Sequence, residues 1–147
     1  MRYWCLSVWC ALATMLMACG GGSSSGTLTG NWAATLTNSD GATELTFNAT
    51  LTQGSSSSIT VANLVFTTAT TCFDSGTTGT STFSPSGTSS VAGTFQMTLQ
   101  SSMKNTNGMN QLTLQGTSSS NTINGTWNLS GTGSGCKGSG DFSMIRM

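Results

Sequence analysis

Residues 28–36 read Leu-Thr-Gly-Asn-Trp-Ala-Ala-Thr-Leu, a run in which every second residue is apolar or glycine. Taken alternately, these residues are Leu28, Gly30, Trp32, Ala34 and Leu36. Alternation with a period of two is typical of a β-strand with one face buried and the other in water. The stretch therefore predicts a first strand, over about residues 27–37, whose apolar face carries both a glycine and a tryptophan.

The same alternation continues through the rest of the chain. Turn-forming pairs such as Asp40-Gly41 and Asn107-Gly108 separate the alternating runs, as they do in β-hairpins. In the third run the apolar phase slips at Ala62–Asn63, which is the pattern of a β-bulge. The predicted strands span about residues 27–37, 43–52, 59–68, a short strand within 70–90, 90–101, 109–117, 121–131 and 140–146.

These strands predict an all-β fold that follows a cleaved N-terminal signal helix. Each strand has one apolar face and one Thr, Ser or Asn face, so the sheet must cover its apolar face and protect its edges. An antiparallel up-and-down meander barrel of seven to eight strands does both, and a β-sandwich is the alternative. The expected inward side chains are Trp32, Leu36, Leu45, Phe47, Leu51, Ile59, Val61, Phe66, Val91, Phe95, Met97, Leu99, Leu112, Leu114, Ile123, Trp127, Leu129, Phe142 and Met144.

Charged residues are scarce in this chain of 147 residues. It has four basic and four acidic side chains, a formal net charge of zero and no histidine. Nucleic-acid binding requires a basic surface, so we expect no nucleic-acid partner. Histidine is the usual general base and metal ligand, so we expect no metal, no cofactor and no enzyme activity.

The N-terminus has the pattern of an export signal. Arg2 precedes an almost wholly apolar run from Tyr3 to Met17, which is shorter than the ~20 residues needed to span a bilayer. The run ends in the small residue Ala18, as signal peptides do at their cleavage site. Residues 1–18 are therefore predicted to be a signal peptide.

Leu16-Met17-Ala18-Cys19 resembles the lipobox of bacterial lipoproteins. The resemblance implies that Cys19 becomes the lipidated mature N-terminus and that its acyl chains anchor the protein to a membrane. Gly20, where the sorting rule for the inner membrane has Asp, implies the outer membrane of a bacterial cell envelope. Residues 19–26 then comprise the lipidated cysteine and a flexible Gly/Ser tether, and residues 27–147 form the barrel domain.

Two of the five cysteines remain for the folded domain. Cys5 and Cys10 lie in the signal peptide, and Cys19 is the lipid acceptor. An even pair in an exported protein predicts a disulfide, here between Cys72 and Cys136. A metal site is the rival interpretation, but it would need further ligands.

Gly30-x-Trp32 on the first strand resembles the lipocalin and avidin-like (calycin) superfamily, in which a tryptophan closes the base of a ligand barrel. The resemblance implies a small hydrophobic ligand inside the barrel, lined by Trp32, Phe95 and Trp127, and a basic residue, here Arg146, packed on Trp32. The pattern recurs at Gly93–Phe95 and Gly125–Trp127, so the glycines are also interpreted as a packing device that lets strands approach and coil.

Two functions are therefore expected. The first is a membrane-anchored lipoprotein that serves as a non-enzymatic envelope or surface interaction module, with a protein partner that the sequence does not identify. The alternative is lipocalin-like binding of a small hydrophobic ligand inside the barrel.

Overall fold

A computed structural model describes residues 27–55, 57–74, 77–102, 108–132 and 134–147. The signal peptide (1–18) and the lipidated cysteine with its tether (19–26) lie outside the described residues. The strands are β1 Gly30–Asn38, β2 Thr43–Gln53, β3 Ser58–Phe66, β4 Thr78–Pro85, β5 Gly93–Ser102, β6 Met109–Ser119, β7 Thr122–Ser130 and β8 Gly138–Arg146.

The eight strands form a closed antiparallel barrel in which each strand pairs with its neighbours in the chain. Pairing of β1 with β8, from Trp32 opposite Arg146 to Asn38 opposite Gly140, closes the ring. The predicted meander barrel is therefore confirmed, and the sandwich alternative is wrong. Among the described residues, no helix is long and apolar enough to cross a membrane.

The predicted apolar face is the barrel interior. Most of the expected inward side chains are buried, and Val61, Phe66 and Val91 are partly buried against them. Thr, Gln, Asn and Ser occupy most of the alternate positions, and the central strands show the pattern clearly, with Gln96, Thr113 and Thr126 facing outward. Burial of the alternating apolar face therefore supplies the main stabilisation of the fold.

The predicted bulge in the third strand is confirmed. Asn63 has a φ of 50°, and the pairing of β2 with β3 shifts register between Asn48 and Thr50. The bulge lies where β3 leaves β4, because only Ser58, Ile59 and Thr60 pair with that strand. A bulge on such a half-open edge interrupts the regular ladder that another chain would need for pairing.

Successive connections alternate between the two ends of the barrel because all its strands are antiparallel. We call the end where β1 begins and β8 finishes the entry end, since the segment from Thr27 joins the barrel there. We call the other end the loop end; the connections β1–β2, β3–β4 and β7–β8 lie there. An even number of strands places the N- and C-terminal segments together at the entry end.

The recurring glycines serve two different physical purposes. Gly30 has a φ of 151°, a conformation that side chains disfavour, and the stem of Arg146 lies 3.8 Å from the place where a Cβ would be. Gly125 pairs with Gly116, and a Cβ at Gly125 would lie 2.0 Å from the Gln115 backbone oxygen. The interpretation of glycine as a device for close strand approach is therefore confirmed at Gly125.

Substitution of Gly125 by alanine should lower the free energy of unfolding by about 1–3 kcal/mol, the usual cost of overpacking. The new methyl group would meet backbone atoms of β6, which cannot turn aside as a side chain can. Urea denaturation measures the change, with Gly54→Ala as the matched control because its nearest neighbour is the Ser58 hydroxyl at 3.2 Å. Equal stability of the two variants would contradict the close-approach explanation.

Candidate functional site

The structure does not bring the three aromatic residues predicted to line a ligand cavity together at one site. Trp32 and Phe95 are fully buried, and Trp127 is 4% exposed. Trp32 pairs with Arg146 near the finish of β8, whereas Trp127 pairs with Gly140 near its start. The two tryptophans therefore lie towards opposite ends of the barrel, and only Trp127 lines one of the three clefts described below.

Trp32 closes the entry end. Its indole Nε1 donates a 2.9 Å hydrogen bond to the backbone oxygen of Leu28, and the guanidinium carbon of Arg146 lies 5.1 Å from its ring centroid. Arg146 also donates a hydrogen bond to the backbone oxygen of Thr27. The predicted packing of Arg146 on Trp32 is therefore confirmed, and it clamps the incoming chain across the end of the barrel.

Leu28 completes this closure. Its side chain is fully buried, and its backbone N–H donates a 2.8 Å hydrogen bond to Oε1 of Gln53 at the finish of β2. The first strand was predicted to begin at about residue 27, but β1 begins at Gly30. Leu28 is thus a plug under the barrel, and the conformation of Gly30 turns the chain from the plug into the strand.

The disulfide spans the loop end. Cys72, in the β3–β4 connection, is bonded to Cys136, in the β7–β8 connection. In a ring of eight consecutive strands these two connections stand on opposite sides. The predicted disulfide is therefore present, and it draws the β3–β4 connection across the mouth of the barrel.

Residues 67–74, which we call the strap, are held by contacts besides the disulfide. Phe73 is buried and stacks on Phe66 with ring centroids 4.7 Å apart. Asn110 Nδ2 donates a 2.8 Å hydrogen bond to the backbone oxygen of Cys72, and the Ser101 hydroxyl donates one of 3.0 Å to Asp74 Oδ1. The strap is thus fixed to β3, β5, β6 and the β7–β8 connection.

Asn110 is a buried polar residue of the strap contacts that the sequence analysis did not predict. It is fully buried, although asparagine is mostly found at protein surfaces. Its position in β6 has the same parity as Leu112 and Leu114, so alternation places this amide on the inward face. An amide on the same face as Leu112 and Leu114 was therefore the available signal for a buried polar contact.

A cleft of about 310 Å³ opens beside the strap at the loop end. One wall is formed by the strap, and the others by the adjoining ends of β1 and β2 and by the strands β7 and β8 with their connection. The lining combines hydroxyl, amide and charged groups with a few apolar side chains. Its residues are Asn38, Glu44, Leu45, Ala69, Thr70, Thr71, Cys72, Trp127, Leu129, Ser134, Gly135, Lys137, Gly138 and Ser139.

Contacts with β1 and β8 hold Trp127 at the base of this cleft. Its indole Nε1 donates a 2.9 Å hydrogen bond to the backbone oxygen of Thr37 on β1. Its ring covers β8, since a Cβ at Gly138 would lie 3.0 Å from the indole Cη2. The side chain therefore reaches from β7 across β8 to β1 and joins the strands that close the barrel.

Charge is concentrated around the loop end. Among the described residues, Arg146 is the charged side chain at the entry end; the others, in the half nearer the loop end, are Asp40, Glu44, Asp74, Lys137 and Asp141. Glu44 and Lys137 both line the cleft. Opposite charges on one small cleft are therefore a distinguishing feature of this end.

Asn38 organises the acidic side of the cleft. Its Oδ1 accepts 3.0 Å hydrogen bonds from the backbone N–H groups of Asp40 and Ala42, which fixes the β1–β2 turn. Its Nδ2 donates a 2.8 Å hydrogen bond to Glu44 Oε1. The Glu44 carboxylate is therefore held in position beside the cleft.

Two further clefts lie on the outside of the barrel. One, of about 380 Å³, is on the other side of the strap, against Leu64, Val65 and Phe66 of β3. The other, of about 180 Å³, lies on the outer face of β4 and β5. Among the described residues, no three His, Cys, Asp or Glu side chains are grouped as metal ligands would be.

The fold and the site together define a class: a small, disulfide-containing, eight-stranded antiparallel β-barrel with a polar cleft at its loop end. No protein-family model, curated protein or solved structure matches this chain. The resemblance of Gly30-x-Trp32 to the lipocalin pattern therefore stays a prediction about ancestry. The barrel is established by the strand pairing of the structure.

Proposed function

We propose that this protein is a bacterial envelope lipoprotein whose barrel is a non-enzymatic interaction module. Cys19 carries the lipid, residues 20–26 form the tether, and the outer membrane is the favoured location. The observation that carries the proposal is the order of these features in the sequence. An apolar run, the Leu16–Cys19 lipobox and a Gly/Ser segment lead directly into the barrel at Thr27.

The tether would join the barrel at its entry end. The described chain enters at the entry end, where Arg146 and Leu28 hold it. A lipid on Cys19 would therefore place the entry end towards the membrane. The loop end, with its strap, its charged side chains and its 310 Å³ cleft, would then face away from the membrane and towards possible partners.

Side chains fill the interior of the barrel, and this favours a binding surface on the outside of the barrel rather than a ligand site inside it. Trp32, Phe95, Met97, Leu112 and Leu114 are fully buried inside the barrel. A hydrophobic ligand in the interior would have to displace such side chains, since an eight-stranded barrel is only just wide enough to be filled by them. The lipocalin-like alternative therefore requires a rearrangement that the interaction-module proposal does not.

Substitution of Cys19 by serine should abolish incorporation of labelled palmitate and release the protein from the membrane fraction. Serine provides no thiolate for the thioether bond through which the diacylglycerol is attached. Metabolic labelling followed by fractionation measures both effects, and Cys10→Ser is the matched control because Cys10 lies in the predicted signal. Label retained by Cys19→Ser, or lost equally in Cys10→Ser, would overturn the proposal.

A further inference from the structure

The cleft at the loop end has a chemically mixed but balanced lining. Glu44 supplies a carboxylate and Lys137 an ammonium, so the two charges sum to zero. Among the described residues, Lys137 has no ion-pair partner, and its three N–H donors are available to a ligand. Hydroxyl groups of Thr70, Thr71 and Ser134 add groups that both donate and accept hydrogen bonds.

The cleft is also preformed. The strap and the β7–β8 connection, which form two of its walls, are joined by the disulfide. Asn38 holds Glu44, and the hydrogen bond to Thr37 holds Trp127 at the base. A preformed site loses little conformational entropy on binding, and its volume lies at the lower end of the usual range for small-molecule pockets.

We propose that this cleft binds a neutral saccharide that carries hydroxyl and acetamido groups, of the size of one or two N-acetylhexosamine units. Such a ligand offers many hydrogen-bond donors and acceptors on its edges and apolar C–H groups on its ring face. Its polar edges would meet Glu44, Lys137 and the strap hydroxyls. Its ring C–H groups would contact Ala69 and the edges of Trp127 and Leu129, which are 4% and 6% exposed.

Other ligand classes fit this lining less well. A fatty acyl chain would remove the Glu44 carboxylate and the Lys137 ammonium from water without offering either group a hydrogen bond, which costs free energy. A phosphate or other small anion would be attracted by Lys137 but repelled by the nearby Glu44 carboxylate. The charge balance of the cleft therefore favours a polar ligand with no net charge, such as a saccharide.

The inference rests on the proposed function in one respect: a lipid at Cys19 would turn the cleft away from the membrane, towards the glycans of the envelope. Binding itself does not need the lipid. A failure of saccharide binding with palmitate labelling intact would therefore reject this inference alone. Loss of Cys19 lipidation with saccharide binding intact would reject the anchoring proposal alone.

The test is a calorimetric titration of the full-length protein, purified from membranes in detergent micelles, with N,N′-diacetylchitobiose. The wild type should bind the disaccharide saturably, and Glu44→Gln should bind it at least about tenfold more weakly because a charged hydrogen-bond acceptor is lost. Asp141→Asn is the matched control, since it removes one carboxylate at a position that does not line the cleft. Its affinity should equal that of the wild type.

Each other result rejects the proposal. No saturable heat in the wild type would overturn it, as would equal affinities of wild type and Glu44→Gln. Displacement of the disaccharide by sodium decanoate or inorganic phosphate would assign the cleft to a lipid or an anion instead. A thermal unfolding scan of Glu44→Gln confirms that any loss of binding comes from a folded barrel.

Discussion

Replacement of Trp32 by alanine should lower the free energy of unfolding by about 3–5 kcal/mol, the usual cost of removing a large buried aromatic side chain. Trp32 is fully buried at the entry end. The substitution would leave a cavity under the barrel, remove the partner of the Leu28 backbone oxygen and take away the ring on which Arg146 lies. Urea denaturation, followed by circular dichroism, measures the loss.

A graded pair of variants separates these contributions. Trp32→Phe keeps an aromatic ring but leaves the Leu28 oxygen without its donor, so its loss should be smaller, about 1–3 kcal/mol. Arg146→Met keeps the stem over Gly30 and removes the guanidinium. If Trp32→Ala lowered the free energy of unfolding no more than Trp32→Phe, the proposal that the Trp32 ring closes the entry end would be wrong.

Removal of the disulfide, by Cys72→Ala together with Cys136→Ala, should lower the free energy of unfolding by about 4 kcal/mol. The bond joins residues 64 apart in sequence, and without it the unfolded chain gains the freedom of that loop. The strap would then be held across the mouth by the hydrogen bonds of Asn110 and Ser101 and by the stacking of Phe73 on Phe66, while its first residues, Thr67 and Thr68, stay bonded to Thr46 at the side of the barrel. The double variant should therefore also lose the defined cleft.

Denaturation of the wild type with and without reductant provides the control for this variant. The reduced wild type and the double variant should unfold at the same urea concentration, since both lack only the bond. Emission from Trp127, which lines the cleft beside the strap, should change on reduction, whereas emission from Trp32 at the far end should not. A difference in stability below about 1 kcal/mol would contradict the proposed contribution of the bond.

Local alternation predicted most strands because burial follows a period of two along each of them. β4 was the exception, since its segment Thr78–Pro85 is rich in Thr and Ser. Its inward positions are Ser81 and Phe83, and the Ser81 hydroxyl is satisfied by donating a 2.8 Å hydrogen bond to the Gln96 backbone oxygen. Where an inward residue is a hydroxyl that bonds to a neighbouring strand, the sequence lacks the alternation of apolar and polar residues on which the prediction depended.

Element boundaries failed where tertiary contacts decide them. The third strand was predicted to run to about Thr68, but it ends at Phe66, because the next residues turn back to bond with Thr46. The fifth strand was predicted from about residue 90 and begins at Gly93, since Val91 and Ala92 lie in a turn held by Ser89. The first boundary depends on Thr46, which is distant in sequence, and the second depends on Ser89, which lies in the adjacent loop.

The candidate site could be predicted only in part. Cysteine counting identified the Cys72–Cys136 pair, but the position of the strap across the mouth follows from the ring of eight strands, which no local pattern contains. The Glu44 and Lys137 side chains are 93 positions apart and meet at the cleft only because β1 closes against β8. Trp127 was predicted to contact a ligand, and the cleft that it lines lies outside the filled interior.

We propose that the mature protein begins at a lipidated Cys19. Mass spectrometry of the intact protein, purified from the bacterial membrane fraction, tests it most directly. We expect the mass of residues 19–147 with one disulfide, increased by a diacylglyceryl group and an amide-linked acyl chain. A mass that corresponds to another N-terminus, or to residues 19–147 without any lipid, would contradict it.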